Sequence, residues 1–167
     1  MGVSRQPFLD WDAAWAPVAR KLAPRVARAA LFLVFTWFGA LKVAGRSPAG
    51  DLVAATVPFL PARTFVIALG VWEVAIGLLF VFPAATRWAV ALLLPQMAGT
   101  FLPLIVLPDR VFVTFPWVLT LEGQYIVKNV ALIALAIEVV GERSRDNAPE
   151  PEGAMRDGPP CARGAKR

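Results

Sequence analysis

Ionisable side chains interrupt three of the four long apolar runs in this sequence of 167 residues. Lys42 lies at the end of the first run, Glu73 near the middle of the second, and Lys128 near the start of the fourth. If the runs cross a membrane, such groups are costly in hydrocarbon, so they pair with one another or mark a site for a ligand, proton or ion. These three residues are therefore the first candidates for a functional site.

Glu73 lies on a helical face of small residues. Gly70 precedes it by three residues and Gly77 follows it by four, so all three lie on one side of a helix. Glycines in a helix contact let the backbone of a neighbouring helix approach closely. A carboxyl group between them must be protonated or paired with a cation, so we expect Glu73 to face inward, with Lys42 or Lys128 as its partner.

The fourth run opens with the richest polar segment of the apolar region, LEGQYIVKN at 121–129. Gln124 and Lys128 share one helical face, and Tyr125 and Asn129 share the adjacent one, because residues four apart lie on the same side of a helix. If the four runs form a bundle, the end of the first run and the start of the fourth lie at the same end of it, which the distribution of basic residues below predicts to be the outer one. They predict an intramembrane polar cluster in its outer half, made of Lys42, Glu73, Gln96, Glu122, Gln124, Tyr125, Lys128 and Asn129.

This polar cluster has two interpretations. It could bind a ligand, or it could only hold the helices together, since interhelical polar contacts are common and contribute about 0.6 kcal/mol on average. Several ionisable groups at similar depth are more than helix association requires. The sequence names no catalytic residue, and it leaves open whether the protein is an enzyme.

The four apolar runs have the length of membrane-spanning helices. They lie at residues 26–43, 64–82, 88–107 and 121–140. At about 1.5 Å per residue, each is near the ~30 Å thickness of the hydrocarbon core. The chain is 57% hydrophobic and only 17% charged, with a mean hydropathy of +0.60. Soluble core helices would show a regular polar face, so we predict an all-α membrane protein with a four-helix transmembrane bundle.

The distribution of basic residues predicts the orientation of this bundle. Eleven of the 17 Lys and Arg residues lie within residues 1–28 or after the fourth run. Because basic residues collect on the cytoplasmic side, both ends of the chain are predicted to be cytoplasmic. The same placement beside apolar runs indicates contact with a lipid bilayer rather than with nucleic acid.

The segments outside the runs divide the chain further. Residues 1–25 form a cytoplasmic amphipathic segment that Pro24 ends, and residues 26–140 form the transmembrane domain. The apolar face of the first segment predicts a helix lying in the membrane interface; it consists of Phe8, Trp11, Trp15, Val18 and Leu22. A short capped helix is predicted near Asp51, and residues 108–120 are expected to pack on the bundle or dip into the interface. Gly141 is predicted to end the fourth span, and residues 141–167 to form a disordered cytoplasmic tail.

The composition excludes several kinds of chemistry. Cys161 is the only cysteine and the chain has no histidine. An internal disulfide, a Cys-based metal cluster, a His-ligated haem and His-dependent nucleophilic catalysis are therefore all ruled out. We predict no metal and no intrinsic cofactor, so a redox role would need a bound quinone or a partner's cofactor.

Three segments together resemble a known family. FGALK at 38–42, the span Gly70-x-x-Glu73-x-x-x-Gly77 followed by LLFVFP, and LEGQYIVKN at 121–129 look like the DoxX-like superfamily of small four-helix bacterial membrane proteins. The resemblance covers residues 26–140 and is closest to the branch of the reactive-chlorine resistance inner-membrane protein. It implies a bundle in the bacterial cytoplasmic membrane, with a polar core at Lys42, Glu73, Glu122, Gln124, Lys128 and Asn129.

Relatives in that family suggest two functions. Some are subunits of a thiosulfate:quinone oxidoreductase, and others are tied to oxidative-stress defence. The first hypothesis is a redox-linked subunit in which Lys128, Gln124 or Tyr125 donates to a quinone head group. The alternative is a non-enzymatic scaffold or assembly factor for a soluble or membrane redox partner protein. A transporter ranks last, since four spans are few and no inverted repeat is visible. A homo-oligomer is compatible with each of these.

Overall fold

The structure, a computed structural model, describes residues 6–146 of the chain and the side chains of residues 15–142. It is almost entirely helical, with one short β-hairpin. The elements are α1 (Gln6–Val43), α2 (Gly50–Thr56), α3 (Ala62–Val81), a 3-10 turn (Pro83–Ala85), α4 (Thr86–Phe101), α5 (Pro103–Val106), α6 (Pro108–Val111), β1 (Phe112–Thr114), β2 (Val118–Leu119) and α7 (Leu121–Asp146).

Within residues 6–146, four helical segments are long and apolar enough to cross a membrane. They confirm the four predicted spans, and they are Trp15–Val43, Ala62–Val81, Pro83–Val106 and Leu121–Glu142. We call the end of the bundle that carries α2 and the β-hairpin the loop side. The opposite end, where α3 and the fourth span end, is called the terminal side.

The first helix is longer than the sequence predicted. Pro24 was expected to end an N-terminal helix, but α1 runs without a break through Pro17 and Pro24. Proline in a helix costs about 3 kcal/mol because it lacks an N–H and crowds the preceding turn. The long apolar stretch that follows, with Ala27 and Leu31 in the core, compensates for that cost. Phe8 and Trp11 lie outside the residues whose side chains are described, so the interfacial placement stays a prediction.

The last helix also extends beyond its predicted end. Gly141 was expected to terminate it, but α7 continues to Asp146. One glycine inside a helix costs only about 1 kcal/mol, and the next residue, Glu142, is held by an ion pair to Arg28. The rest of the predicted tail, 147–167, lies outside the described residues.

The core lies between α1, α3, α4 and α7. Its fully buried side chains include Leu31 of α1, Phe80 of α3 and Leu93 of α4. A second cluster near the loop side joins Leu52 of α2, Val111 of α6 and Ile126 of α7.

The loop side is more structured than its sequence suggested. The short helix near Asp51 is present as α2, but no side chain caps it. Val111 is fully buried, and its carbonyl oxygen lies against Gly123 of α7, where no side chain could fit. The hairpin of β1 and β2, which was not predicted, leaves Trp117 85% exposed. Residues 108–120 therefore pack on the bundle at one end and project from it at the other.

Candidate functional site

Three polar side chains meet inside the bundle near the loop side. Lys42 Nζ of α1 donates to Glu73 Oε2 of α3 over 2.6 Å, and Gln96 Nε2 of α4 donates to Glu73 Oε1 over 2.8 Å. All three residues are buried, with exposed fractions of 6–8%. We call them the buried polar network. Each carboxylate oxygen of Glu73 has its own donor, so the group is fixed in position and charge-compensated.

Glycines bring the two charged members of the network together. A Cβ at Gly39 would lie 2.6 Å from the carbonyl oxygen of Gly70, and a Cβ at Gly70 would lie 2.8 Å from Lys42 Cβ. A Cβ at Gly77 would lie equally close to Thr36 of α1. The predicted close approach at Gly70 and Gly77 is therefore confirmed, and α1 is the neighbouring helix. Gly39 and Gly70 each precede a charged residue by three positions, which places Lys42 beside Glu73.

The proline-containing part of α4 positions the third member. Gln96 follows Pro95, and its own backbone carbonyl accepts a hydrogen bond from the Thr100 hydroxyl at 2.9 Å. In the turn before Pro95, the carbonyl of Leu92 accepts a hydrogen bond from Trp72 Nε1 at 3.1 Å. The Trp72 bond ties α4 to α3 one turn before Gln96, and the Thr100 bond lies within α4, one turn after it. Between them, the Gln96 amide donates to Glu73.

A cleft of about 290 Å³ opens beside the network on the loop side. Lys42 belongs to both, because it pairs with Glu73 and also lines the cleft. The walls combine charged and apolar side chains from α1, α2, α3 and the loop between the first two; they include Lys42, Ser47, Asp51, Arg63, Val66 and Ile67. The cleft therefore offers two cations and one carboxylate next to apolar surface, which suits a small polar or anionic group attached to an apolar body.

The five candidates on α7 do not join this network. Glu122, Gln124, Tyr125 and Lys128 are exposed and Asn129 is half-buried, so their predicted convergence with Lys42 and Glu73 is wrong. The side of α7 that faces the bundle here carries Gly123 and Ile126 instead. Gln124 Nε2 is 3.5 Å from the carbonyl oxygen of Leu119, and Lys128 Nζ lies 5.2 Å from the centre of the Tyr125 ring. Lys42 is therefore the partner of Glu73, and Lys128 is not.

A second polar cluster, on the terminal side, was not predicted. The Arg28 guanidinium donates to Thr86 Oγ1 at 2.9 Å and lies 3.4 Å from Glu142 Oε2. It also reaches the carbonyl oxygen of Phe80 at 3.5 Å. One side chain of α1 thus contacts α3, α4 and α7. In the sequence analysis, Arg28 contributed only to the count of basic residues that predicts orientation. It lies near the start of the first run and Glu142 lies just after the fourth, so the two residues are at the same end of the bundle. That placement could have predicted their ion pair.

Replacing Arg28 is expected to loosen this end of the bundle. Arg28→Met should lower the free energy of unfolding by about 1–2 kcal/mol, because hydrogen bonds to charged groups are lost. The cost is limited because the Glu142 side chain is 29% exposed and the Thr86 hydroxyl keeps its bond to the Pro83 carbonyl. Unfolding in mixed micelles, followed by circular dichroism, measures the change. Arg25→Met, at an exposed position one turn earlier, is the control; equal losses in both variants would contradict the assignment.

The four candidate spans among the described residues define the class of this chain, a multi-pass α-helical membrane protein. Comparisons with family models, curated proteins and solved structures find no match to it. Within the described residues, no three His, Cys, Asp or Glu side chains come together in a way that could hold a metal ion.

Proposed function

We propose that the chain is a DoxX-like protein of the bacterial cytoplasmic membrane, linked to redox metabolism or oxidative-stress defence. Its termini lie in the cytoplasm, since eleven of its 17 basic residues lie within residues 1–28 or 143–167. The loop side, with the cleft and the hairpin, then faces outward. The part of α1 that precedes the first apolar run, where Trp15 and Val18 are exposed, lies in the inner interface of the bilayer.

The function rests on one observation, a buried ion pair next to a cleft. Apolar residues can replace buried ion pairs with little loss of stability, and helices in a membrane associate without them. Lys42 and Glu73 are nevertheless charged residues within candidate spans, and Lys42 lines a cleft that also contains Asp51 and Arg63. We propose that this cleft binds the head group of a membrane quinone, as the resemblance suggests.

The residues of the cleft fit such a ligand. A quinone head group needs donors for its carbonyl oxygens and apolar walls for its ring. Lys42 has three N–H groups and gives one of them to Glu73, while Arg63 supplies further donors at the rim. Val66 and Ile67 of α3 supply apolar wall. A bound quinone would contribute two-electron redox chemistry; the chain itself orients the head group and holds Glu73 beside the donor.

Quinone retention tests this function. Protein purified from bacterial membranes in mild detergent should carry quinone at a stoichiometry near one, measured by solvent extraction and mass spectrometry. The double variant Lys42→Met/Glu73→Gln should lose it, because the cleft then has neither its inner cation nor the carboxylate behind it. Circular dichroism and gel filtration show whether the variant is folded.

Arg46→Gln is the matched control for this experiment. Arg46 is an exposed cation in the same loop region and does not belong to the described lining of the cleft. It should retain quinone at the wild-type level. Wild-type protein without bound quinone, or a folded double variant that retains quinone fully, would contradict the proposal.

A scaffold is the second candidate, and two observations favour it. The members of the buried polar network bond to one another, so they could serve stability alone. The hairpin also presents Trp117 and Phe115, which are 85% and 69% exposed, as a surface for a partner protein. Deleting residues 147–167, which follow α7, should abolish partner co-purification if the basic tail recruits the partner. Retained partners would instead point to the hairpin, which Trp117→Ser tests.

A further inference from the structure

A polar stripe faces outward on the half of α7 nearest the loop side. It consists of Glu122, Gln124, Tyr125 and Lys128, which we call the α7 polar face. We propose that a second copy of this chain docks on this face, in a symmetric contact between two α7 helices. This inference goes beyond the proposed function and holds whether or not the cleft binds a quinone.

The α7 polar face lies within a candidate span. The span begins at Leu121 and ends at Glu142. Lys128 is seven residues inside it, about 10 Å along the helix axis. Charged and amide side chains that face lipid at such depth are costly, and in membrane proteins they nearly always face protein or water. Tyr125 is 60% exposed and Leu121 is 64% exposed, so nothing in the described part of the chain covers this face.

The charges on this face have no charged partner within the described chain. Among residues 15–142, the ion pairs are Arg28–Glu142 and Lys42–Glu73. Lys128 Nζ lies over the ring of Tyr125, one turn closer to the loop side. Its ammonium therefore extends along the helix toward the loop side. Glu122 lies about one further turn in that direction, beyond Tyr125.

Donors and acceptors are separated across the face. Glu122 and Lys128 are three residues before and after Tyr125, so they lie about 60° to either side of it. Gln124 lies on the same side as Lys128, about 100° from Tyr125. One edge of the face therefore carries a carboxylate, and the other carries an ammonium and an amide.

This arrangement is complementary to itself. Copies of a membrane protein insert with the same orientation, so a two-fold axis between them runs along the membrane normal and pairs parallel helices. With Tyr125 at the centre, that axis brings the carboxylate edge of each copy against the donor edge of the other. Glu122 lies about 3 Å above Gln124 and about 9 Å above Lys128 along the axis, and the Lys128 side chain reaches upward across much of the larger gap. Each copy thus neutralises the charges of the other.

Cysteine cross-linking in native membranes tests the contact. Cys161→Ser removes the only native thiol. In that background Tyr125→Cys should form a covalent dimer on oxidation. Val130→Cys should not, although Val130 is 56% exposed on the same helix, because it points about 140° away from Tyr125. Equal cross-linking at both positions, or none at Tyr125→Cys, would overturn the proposal.

Charge exchange supplies a second test. Glu122→Lys and Lys128→Glu should each weaken dimerisation about three- to tenfold, the range expected for one interhelical polar contact. The double variant Glu122→Lys/Lys128→Glu should restore it. Native mass spectrometry after mild detergent extraction should show two chains in the wild-type assembly. A single chain carrying anionic lipid, a complex with another protein, or a double variant no stronger than the single ones would each contradict the proposal.

Discussion

Lys42→Met is expected to be among the most destabilising single substitutions of a charged residue in the bundle. It should lower the free energy of unfolding by about 3–5 kcal/mol, because removing one member of a buried ion pair leaves the other charge uncompensated. Glu73 would then keep one hydrogen bond, from Gln96, inside a site where its exposed fraction is 8%. Unfolding in mixed micelles, monitored by circular dichroism, measures the loss.

A second substitution should recover much of that stability. In Lys42→Met/Glu73→Gln no charge remains, and two neutral amides at positions 73 and 96 can bond to each other. Replacing both partners of a buried pair is often close to neutral, so we expect the double variant within about 1–2 kcal/mol of the wild type. The coupling energy from the complete double-mutant cycle isolates the interaction of this pair from the loss of either side chain alone.

Lys128→Met is the matched control for Lys42→Met. It removes the same side chain from a candidate span, but at an exposed position with no carboxylate partner in the described chain. Its effect on the unfolding of a single chain should be below about 1 kcal/mol. If it destabilises the protein as much as Lys42→Met does, the cost comes from placing a methionine near the end of a span and not from the ion pair.

These contrasts also show why only part of the site could be predicted. The four spans follow from hydrophobicity, which is a local property of the chain. The pairing of Lys42 with Glu73 was one of two options, and the glycines at 39 and 70 decide between them because they bring α1 and α3 together. The position of Lys42 and Glu73 within their runs indicates how deep each lies in the membrane. The sequence therefore predicted that the two residues lie at similar depth.

The rotation of α7 about its axis was not predictable in the same way. Gln124 and Lys128 were expected to face inward because polar groups avoid lipid. Which side of a helix faces inward depends on what lies next to it, and α7 packs here against Val111, whose carbonyl oxygen touches Gly123. The segment that holds Val111 forms α6 and a hairpin, which the sequence pattern did not indicate. Because α6 and the hairpin were not predicted, the side of α7 that faces the bundle was predicted wrongly.

Gly70→Leu is the second substitution expected to have a large effect. A Cβ at Gly70 would lie 2.7 Å from the carbonyl oxygen of Gly39 and 3.0 Å from the backbone nitrogen of Val43. Because both contacts are with backbone, no side chain can rotate away, and α1 and α3 must separate. Overpacking typically costs about 1–3 kcal/mol, and we expect at least the upper value here, since the separation also stretches the 2.6 Å contact between Lys42 and Glu73.

Gly99→Leu provides the comparison that isolates this packing effect. Gly99 lies in α4, and nothing lies within 4 Å of a Cβ placed there. The substitution should be neutral or stabilising by up to about 1 kcal/mol, because leucine favours a helix more than glycine does. The buried polar network should also respond, since Gly70→Leu should reduce the coupling energy between Lys42 and Glu73 while Gly99→Leu leaves it unchanged. A full coupling energy in a folded Gly70→Leu protein would mean that the two charges meet without the close contact of α1 and α3.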